Sequence, residues 1–254
     1  DTLYAGSLSN AFRMAIEAGN DIIISSTTAQ LNEALWTSNI QRMKTSPEFR
    51  SKVEKAARRV IEIKLNYFKN TKAAPLYPDI SKIDQSIPDK EGTSFFVEQA
   101  CRSITVYKKG ELPYIPSNDK KVLLIGSEPA FFSEMKKYYN NNDSIKLNYN
   151  LGQNETQAAI NQLSYKAENV DTIFVCVWDN NSFKIAESLK RYQSKGKKIV
   201  IFSIMSPVIS FNLTWPDTVL FGYSYSPYSF MGLAAVASGK INPTGVLPIS
   251  VPQK

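Results

Sequence analysis

Thr172-Ile173-Phe174-Val175-Cys176-Val177, followed at once by Trp178-Asp179-Asn180-Asn181-Ser182, decides how the second half of this chain is read. Six residues rich in β-branched and aromatic side chains predict a strand, and the polar stretch behind it leads into a helix. The same unit repeats outward in both directions. Strands are expected over 121–125, 145–149, 198–203 and 219–223, separated by helical stretches that start near Pro129, Glu155, Asn181 and Pro207. Alternation of this kind predicts an α/β sandwich, with a mostly parallel sheet and helices on both faces. A further strand, Ile104-Thr105-Val106-Tyr107, lies ahead of the run behind a helix over 93–102. Leu124-Ile125-Gly126-Ser127-Glu128-Pro129 holds one glycine where a dinucleotide-binding turn needs three, so nucleotide binding has no support.

The first part of the chain is organised differently. Residues 8–18 place Leu8, Phe12, Ala15 and Ile16 at helical spacing, and Gly19 stops the helix. Asp21-Ile22-Ile23-Ile24-Ser25 is continuous and β-branched, which predicts a short strand covered on both faces. Ser26-Thr27-Thr28 offers capping hydroxyls for a helix carrying Leu31, Leu35, Trp36 and Ile40, and Ser46-Pro47 opens another in which Phe49, Val53, Ala56, Val60 and Ile63 make one apolar stripe. Between Asn70 and Gly92, Pro75, Pro78 and Pro88 interrupt a polar stretch without a sustained period. The expected division is therefore 1–69, a linker over 70–92, and the sandwich over 93–254.

Composition removes several kinds of chemistry. The 254 residues are 43% hydrophobic and 21% charged, which suits a folded globular chain. The apolar runs are far shorter than the roughly 18 residues of a membrane helix, so no span is expected. The chain starts at Asp1-Thr2-Leu3 with neither a signal peptide nor an initiating Met, and reads as a fragment or processed product. With no histidine, Ser-His-Asp, Cys-His and His-zinc arrangements have no place in it. Cys101 and Cys176 sit in apolar surroundings and read as small buried thiols. The net charge of +7 is spread over helix faces and element ends, interleaved with Glu48, Glu54 and Glu62, so nucleic acid is not an expected partner.

The C-terminal stretch Gly239-Lys240-Ile241-Asn242-Pro243-Thr244-Gly245-Val246-Leu247-Pro248 is the most specific motif: a helix stops, a Pro-Thr-Gly turn reverses the chain, and a proline-bounded strand is expected to close the unit. This block resembles the end of the sandwich domain in family 3 glycoside hydrolases, and Tyr223-Ser224-Tyr225-Ser226-Pro227-Tyr228-Ser229 is similar to the family's approach to the same helix. Ala15-Ile16-Glu17-Ala18-Gly19-Asn20-Asp21 resembles a strand late in the family's catalytic barrel. Residues 57–64 look like the final barrel helix, and 98–106 resemble the passage into the second domain. The resemblance spans nearly the whole chain and implies the last strand and helices of a (β/α) barrel, a linker and a complete sandwich.

What the resemblance implies about activity follows from that placement. A retaining glycosidase needs a carboxylate nucleophile and an acid/base group about 5 Å away. In the β-N-acetylglucosaminidase branch the nucleophile is an Asp in an Asp-x-Leu motif, and Asp1-Thr2-Leu3 fits it; the other reading of Asp1 is a terminal helix-capping residue. A His-Asp acid/base pair would lie on an earlier barrel loop. Other branches take an acidic residue from the sandwich after a strand like 172–177, where this chain reads Trp178-Asp179-Asn180-Asn181 without the Glu-Gly-x-Asp pattern. That favours the N-acetylglucosaminidase branch and cell-wall-type sugars. Trp178 and Asp179 are candidates for lining a sugar cleft, against a core Trp and a capping Asp; Glu98 and Glu187 read as surface charges.

The substrate would be a carbohydrate engaged through the missing barrel portion, and the chain alone is expected to be inactive. Barrel helices without their strands would expose Leu31, Leu35 and Phe49 and favour self-association. A non-catalytic α/β module that binds sugar or protein is the alternative. A soluble protein is expected, with the bacterial cytoplasm, periplasm and cell envelope all open as its compartment.

Overall fold

A computed structural model describes residues 7–24, 30, 32–70, 72–87, 90–115 and 120–251. The chain divides into two compact units, at Ile83 and Asp84.

The first unit is helical. Helix α1 (Leu8–Glu17) is capped by Ser7, whose hydroxyl accepts from the Asn10 N–H at 3.2 Å. Helix α2 (Ala34–Thr45) follows, and α3 (Pro47–Phe68) begins as the sequence predicts, with Ser46 as cap and Pro47 in the first turn, where its missing N–H costs nothing. Leu35 and Phe49, expected to be exposed, are instead buried among these helices, while Leu31 lies outside the described residues. The exposed apolar side chains are others: Ile22, Ile24, Trp36, Ile40 and Ile61. An apolar groove of about 570 Å³ runs between Phe12, Ile16, Trp36, Val53 and Val60. The strand expected over 21–25 is absent from its described part: Asp21–Ile24 joins no ladder, Asp21 being held by the Arg59 side chain instead, and Ile24 is 94% exposed. A strand needs a neighbour's backbone, and the described residues of this unit contain none.

The first unit ends in a 3-10 turn at Ile80–Lys82, and a short helix, α4 (Ile83–Ser86), crosses the division. Helix α5 (Lys90–Ser103) starts three residues earlier than the sequence suggests and belongs to the second unit.

The second unit is a six-stranded sheet between two groups of helices. Its elements are β1 (Thr105–Lys109), β2 (Val122–Gly126), α6 (Pro129–Lys136), β3 (Asn142–Lys146), α7 (Gln153–Lys166), β4 (Thr172–Val177), α8 (Asn180–Ser188), α9 (Lys190–Gln193), β5 (Lys198–Ser203), α10 (Pro207–Ser210), β6 (Thr218–Phe221) and α11 (Pro227–Ala237). The strand order is β1-β6-β5-β4-β2-β3, with β1 antiparallel to β6 and every other pair parallel. Helices α5, α6 and α11 pack together, and α7 packs on α8, so each side of the sheet is covered. Burial on both faces is why β2, β4 and β6 are apolar apart from Thr172 and Thr218 at the starts of β4 and β6. The core is aromatic at its centre: Phe131 lies within 6.1 Å, ring to ring, of Phe132, Phe202 and Phe230.

Two expected strands are displaced. The edge strand β3 occupies Asn142–Lys146 rather than 145–149, because its pairing with β2 brings Asn142 opposite Val122 and Lys146 opposite Gly126. Its polar sequence suits an edge, where one side has no ladder to satisfy. The closing C-terminal strand does not form either, since Pro243 and Pro248 withdraw two donors and β1 already pairs with the outer side of β6. The sixth strand is β1. What the Asn-Pro-Thr-Gly stretch does instead is tie the tail to the α5–β1 junction: the Gly245 N–H donates to the Ile104 carbonyl at 3.2 Å and the Thr244 hydroxyl to the Arg102 carbonyl at 3.2 Å. Only glycine fits at 245, where a Cβ would fall 2.3 Å from the Ser103 carbonyl oxygen.

Candidate functional site

In an open parallel sheet, ligands bind beyond the carboxyl ends of the strands, where the chain reverses its direction of travel across the sheet. Here the chain runs from β2 outward to β3 and crosses back to β4, so that point lies between β2 and β4. The turns there are Gly126-Ser127-Glu128 and Trp178-Asp179, flanked by the 147–152 loop after β3 and the 222–226 loop after β6. Gly126 serves packing: a Cβ would lie 2.8 Å from the Phe131 ring.

Asp179 and Ser182 form a reciprocal cap on α8. Asp179 Oδ1 accepts from the N–H groups of Asn181 (3.1 Å) and Ser182 (2.7 Å), and Ser182 Oγ lies 2.7 Å from the same oxygen. That hydroxyl in turn accepts from the N–H groups of Trp178 and Asp179, both at 2.9 Å. A carboxylate engaged in this way satisfies amides that a helix start leaves without partners.

Trp178 is 7% exposed and its indole N–H donates to the Tyr149 carbonyl at 2.8 Å. The Tyr149 ring stacks on it, with centroids 6.0 Å apart and planes 11° from parallel, and Tyr225 leans against Tyr149 at 5.7 Å and 58°. The Asn181 side-chain amide donates to the Leu151 carbonyl at 2.7 Å, a second tie between this loop and α8. The aromatic rings open to solvent at this edge are thus Tyr149 and Tyr225, with Trp178 beneath the first. Tyr149 escapes a reading of the sequence because 145–149 looks like a strand; the shift of β3 toward its polar residues is what releases it into the loop.

Tyr223 carries the one positive φ among the described non-glycine residues, 58°. A side chain costs energy there, so the surroundings must fix it. They do so through its hydroxyl, which donates to Thr105 Oγ1 at 2.9 Å, and its ring, 6.1 Å from Phe221.

Asp1 lies outside the described residues. Glu98 is exposed and pairs with Arg102 at 3.3 Å, as a surface charge would. Glu187 is not free on the surface: its carboxylate accepts from the Trp215 indole N–H at 2.6 Å. Cys176 is fully buried in β4, and that burial, with Glu128 nearby, raises its thiol well above the ordinary range; partial burial also raises the Cys101 thiol. Neither thiol is poised as a thiolate. Among the described residues no group of three or more His, Cys, Asp and Glu side chains is placed to hold a metal ion, and no helix is long and apolar enough to cross a membrane.

Comparison with solved structures gives this arrangement its context. The chain aligns over 96% of its length with a glycoside hydrolase family 3 β-N-acetylglucosaminidase from Paenibacillus sp. (TM-score 0.66, 17% identity, 48% of that chain). It aligns over 96% with a fungal multi-domain GH3 β-N-acetylglucosaminidase (0.63, 19%, 28% of that chain). The chain has the fold of family 3 glycoside hydrolase structures. A β-glucosidase involved in saponin metabolism from intestinal bacteria aligns over 99% of the chain (0.58, 16%, 44% of that chain). The chain thus spans less than half the length of each of these solved neighbours, consistent with a C-terminal portion. No family model and no curated protein matches it.

Proposed function

We propose that this chain is the C-terminal portion of a retaining family 3 glycoside hydrolase of the β-N-acetylglucosaminidase type, acting on cell-wall-type glycans. The observation that carries the reading is the alignment of 96% of the chain with the Paenibacillus β-N-acetylglucosaminidase, at a TM-score of 0.66. Support also comes from Trp178-Asp179-Asn180-Asn181, which offers no acid/base Glu after β4, while Asp179 is occupied in capping. In this reading residues 1–69 belong to the barrel, 70–92 link, and 93–254 form the sandwich.

Asp1 is the proposed nucleophile. Its carboxylate attacks the anomeric carbon as the leaving oxygen takes a proton from an acid/base group supplied by a preceding barrel segment, and water then hydrolyses the glycosyl ester. Trp178 and Asp179 support the sugar-facing edge from behind, Trp178 as the floor under Tyr149 and Asp179 as the cap that shapes the turn. No cofactor is involved.

The test is hydrolysis of a chromogenic β-N-acetylglucosaminide by a protein joining this chain to its preceding barrel segment, with and without Asp1→Asn. Loss of turnover in the folded variant supports the assignment, and unchanged turnover places the nucleophile elsewhere. This chain alone is expected to give no turnover.

The apolar groove of about 570 Å³ in the first unit favours a second reading, a binding module that associates with copies of itself. Concentration-dependent association in sedimentation, with no hydrolysis after the barrel segment is restored, would select it.

A further inference from the structure

Tyr149 and Tyr225 are 40% and 51% exposed, yet neither is loosely held. Tyr149 is fixed from below by its parallel stack on Trp178 and by the indole bond to its own carbonyl, at 2.8 Å. The backbone leading to Tyr225 leaves β6 through Tyr223, whose left-handed conformation is held by the bond to Thr105, and re-enters regular structure two residues later at Pro227, after the Ser226 cap. Two open rings 5.7 Å apart and inclined at 58° form a corner at the sheet's carboxyl edge. Rings set rigidly before a ligand arrives lose little freedom on binding, and an exposed aromatic face suits a partner that is apolar on one side and hydroxylated around its rim.

We propose that Tyr149 and Tyr225 form a carbohydrate-stacking corner that takes a pyranose ring of a β-linked glycan. One ring receives the C–H face of the sugar and the other borders its edge. The choice of sugar rests on the glycosidase reading; the binding itself does not require this chain to hydrolyse anything.

The experiment titrates β-1,4-linked N-acetylglucosamine trimer, and separately cellotriose, into this chain, followed by amide and side-chain shifts in heteronuclear NMR. Saturable binding of at least one trimer is expected, with shifts centred on 147–152, 178 and 222–226. Tyr149→Ala and Tyr225→Ala should each weaken it at least tenfold. Tyr149→Phe, which keeps the stack on Trp178, should bind within about twofold of the parent, as should Tyr165→Ala, a change at an exposed tyrosine on α7. No saturable binding of either trimer, or alanine variants that bind like the parent, would overturn the proposal. Binding by this chain together with absence of hydrolysis by the longer protein would leave the corner standing and remove the glycosidase reading. Hydrolysis by the longer protein with no binding at the corner would do the reverse.

Discussion

Removing the Asp179 carboxylate separates a structural from a catalytic role for that residue. In Asp179→Ala, two backbone N–H groups at the start of α8 lose their acceptor and Ser182 loses a partner 2.7 Å away. Loss of an N-cap side chain costs about 0.5–2 kcal/mol, and this cap, with three contacts on one oxygen, belongs near the upper end, at about 1.5 kcal/mol. Ser182→Ala should cost more. Its hydroxyl is wholly buried and accepts from two amides that would then face an apolar methyl group, at about 1–3 kcal/mol for each buried unsatisfied group, so roughly 2–6 kcal/mol in all. Asp179→Asn keeps an acceptor in place and should lose no more than about 0.5 kcal/mol. The assay is thermal unfolding of the sandwich by circular dichroism, where 1 kcal/mol corresponds to about 2–4 °C at this chain length. The expected order of midpoints is parent, Asp179→Asn, Asp179→Ala, Ser182→Ala, with Asp179→Ala down by roughly 3–6 °C. An Asp179→Ala midpoint within 1 °C of the parent would refute the capping role and restore the carboxylate as a candidate for direct contact with substrate.

Three further outcomes follow from the packing and the charges. Phe131→Ala, at a fully buried ring against Phe132, Phe202, Phe230 and Gly126, should destabilise the sandwich by about 3–5 kcal/mol in urea titration, and a loss below about 1 kcal/mol would mean that the core is not packed as described. Gly245→Ala puts a methyl group against the Ser103 carbonyl and should release the tail, at about 1–3 kcal/mol, with faster amide exchange at Gly245 and along β1; unchanged exchange there would argue against the clasp. The Lys166 ammonium, bonded to Asp143 at 2.9 Å, holds that carboxyl below its ordinary value, helped by the Ser144 N–H and Lys121. A carboxyl lowered by folding adds stability that is complete above its unfolded pKa and disappears as pH falls through the folded one. Asp143→Asn should therefore cost about 0.5–1 kcal/mol at pH 7 and nothing near pH 2, and an equal cost at both would rule out the linkage.

The buried strands were legible because burial on both faces leaves no choice of side chain: 172–177 and 198–203 lie where their apolar runs predict. Helix starts at Pro129, Pro207 and Ser46-Pro47 were equally plain, since proline and a capping hydroxyl act locally. The misplacements are at the sheet's margins. Asn142-Asp143-Ser144 carries no strand signature of its own and is extended only because β2 lies beside it, while Ile22-Ile23-Ile24 carries a strong one and lacks a neighbour. Trp178 and Asp179 follow β4 directly and so lie at the carboxyl edge of the sheet, but a sequence does not say which ring lies on top. Tyr149 covers Trp178 through a register shift, and Tyr225 reaches Tyr149 through a backbone angle at Tyr223 that no residue-type preference announces.

The antiparallel edge strand has a consequence for how the molecule is made on the ribosome. Thr105 emerges 118 residues before Tyr223, the side chain that binds it, and Arg102 emerges 142 residues before Thr244. At about 5–20 residues per second, translation leaves β1 waiting roughly 6–24 s for the strand it pairs with, and longer for the tail that secures it. The four strands between them need no such delay. Growth of the sheet is thus expected to run from β2 and β4 outward, with β1, the first strand of this sheet to be synthesised, being the last to dock, and any nascent chain cut before Thr244 would carry an unfastened edge open to pairing with another chain.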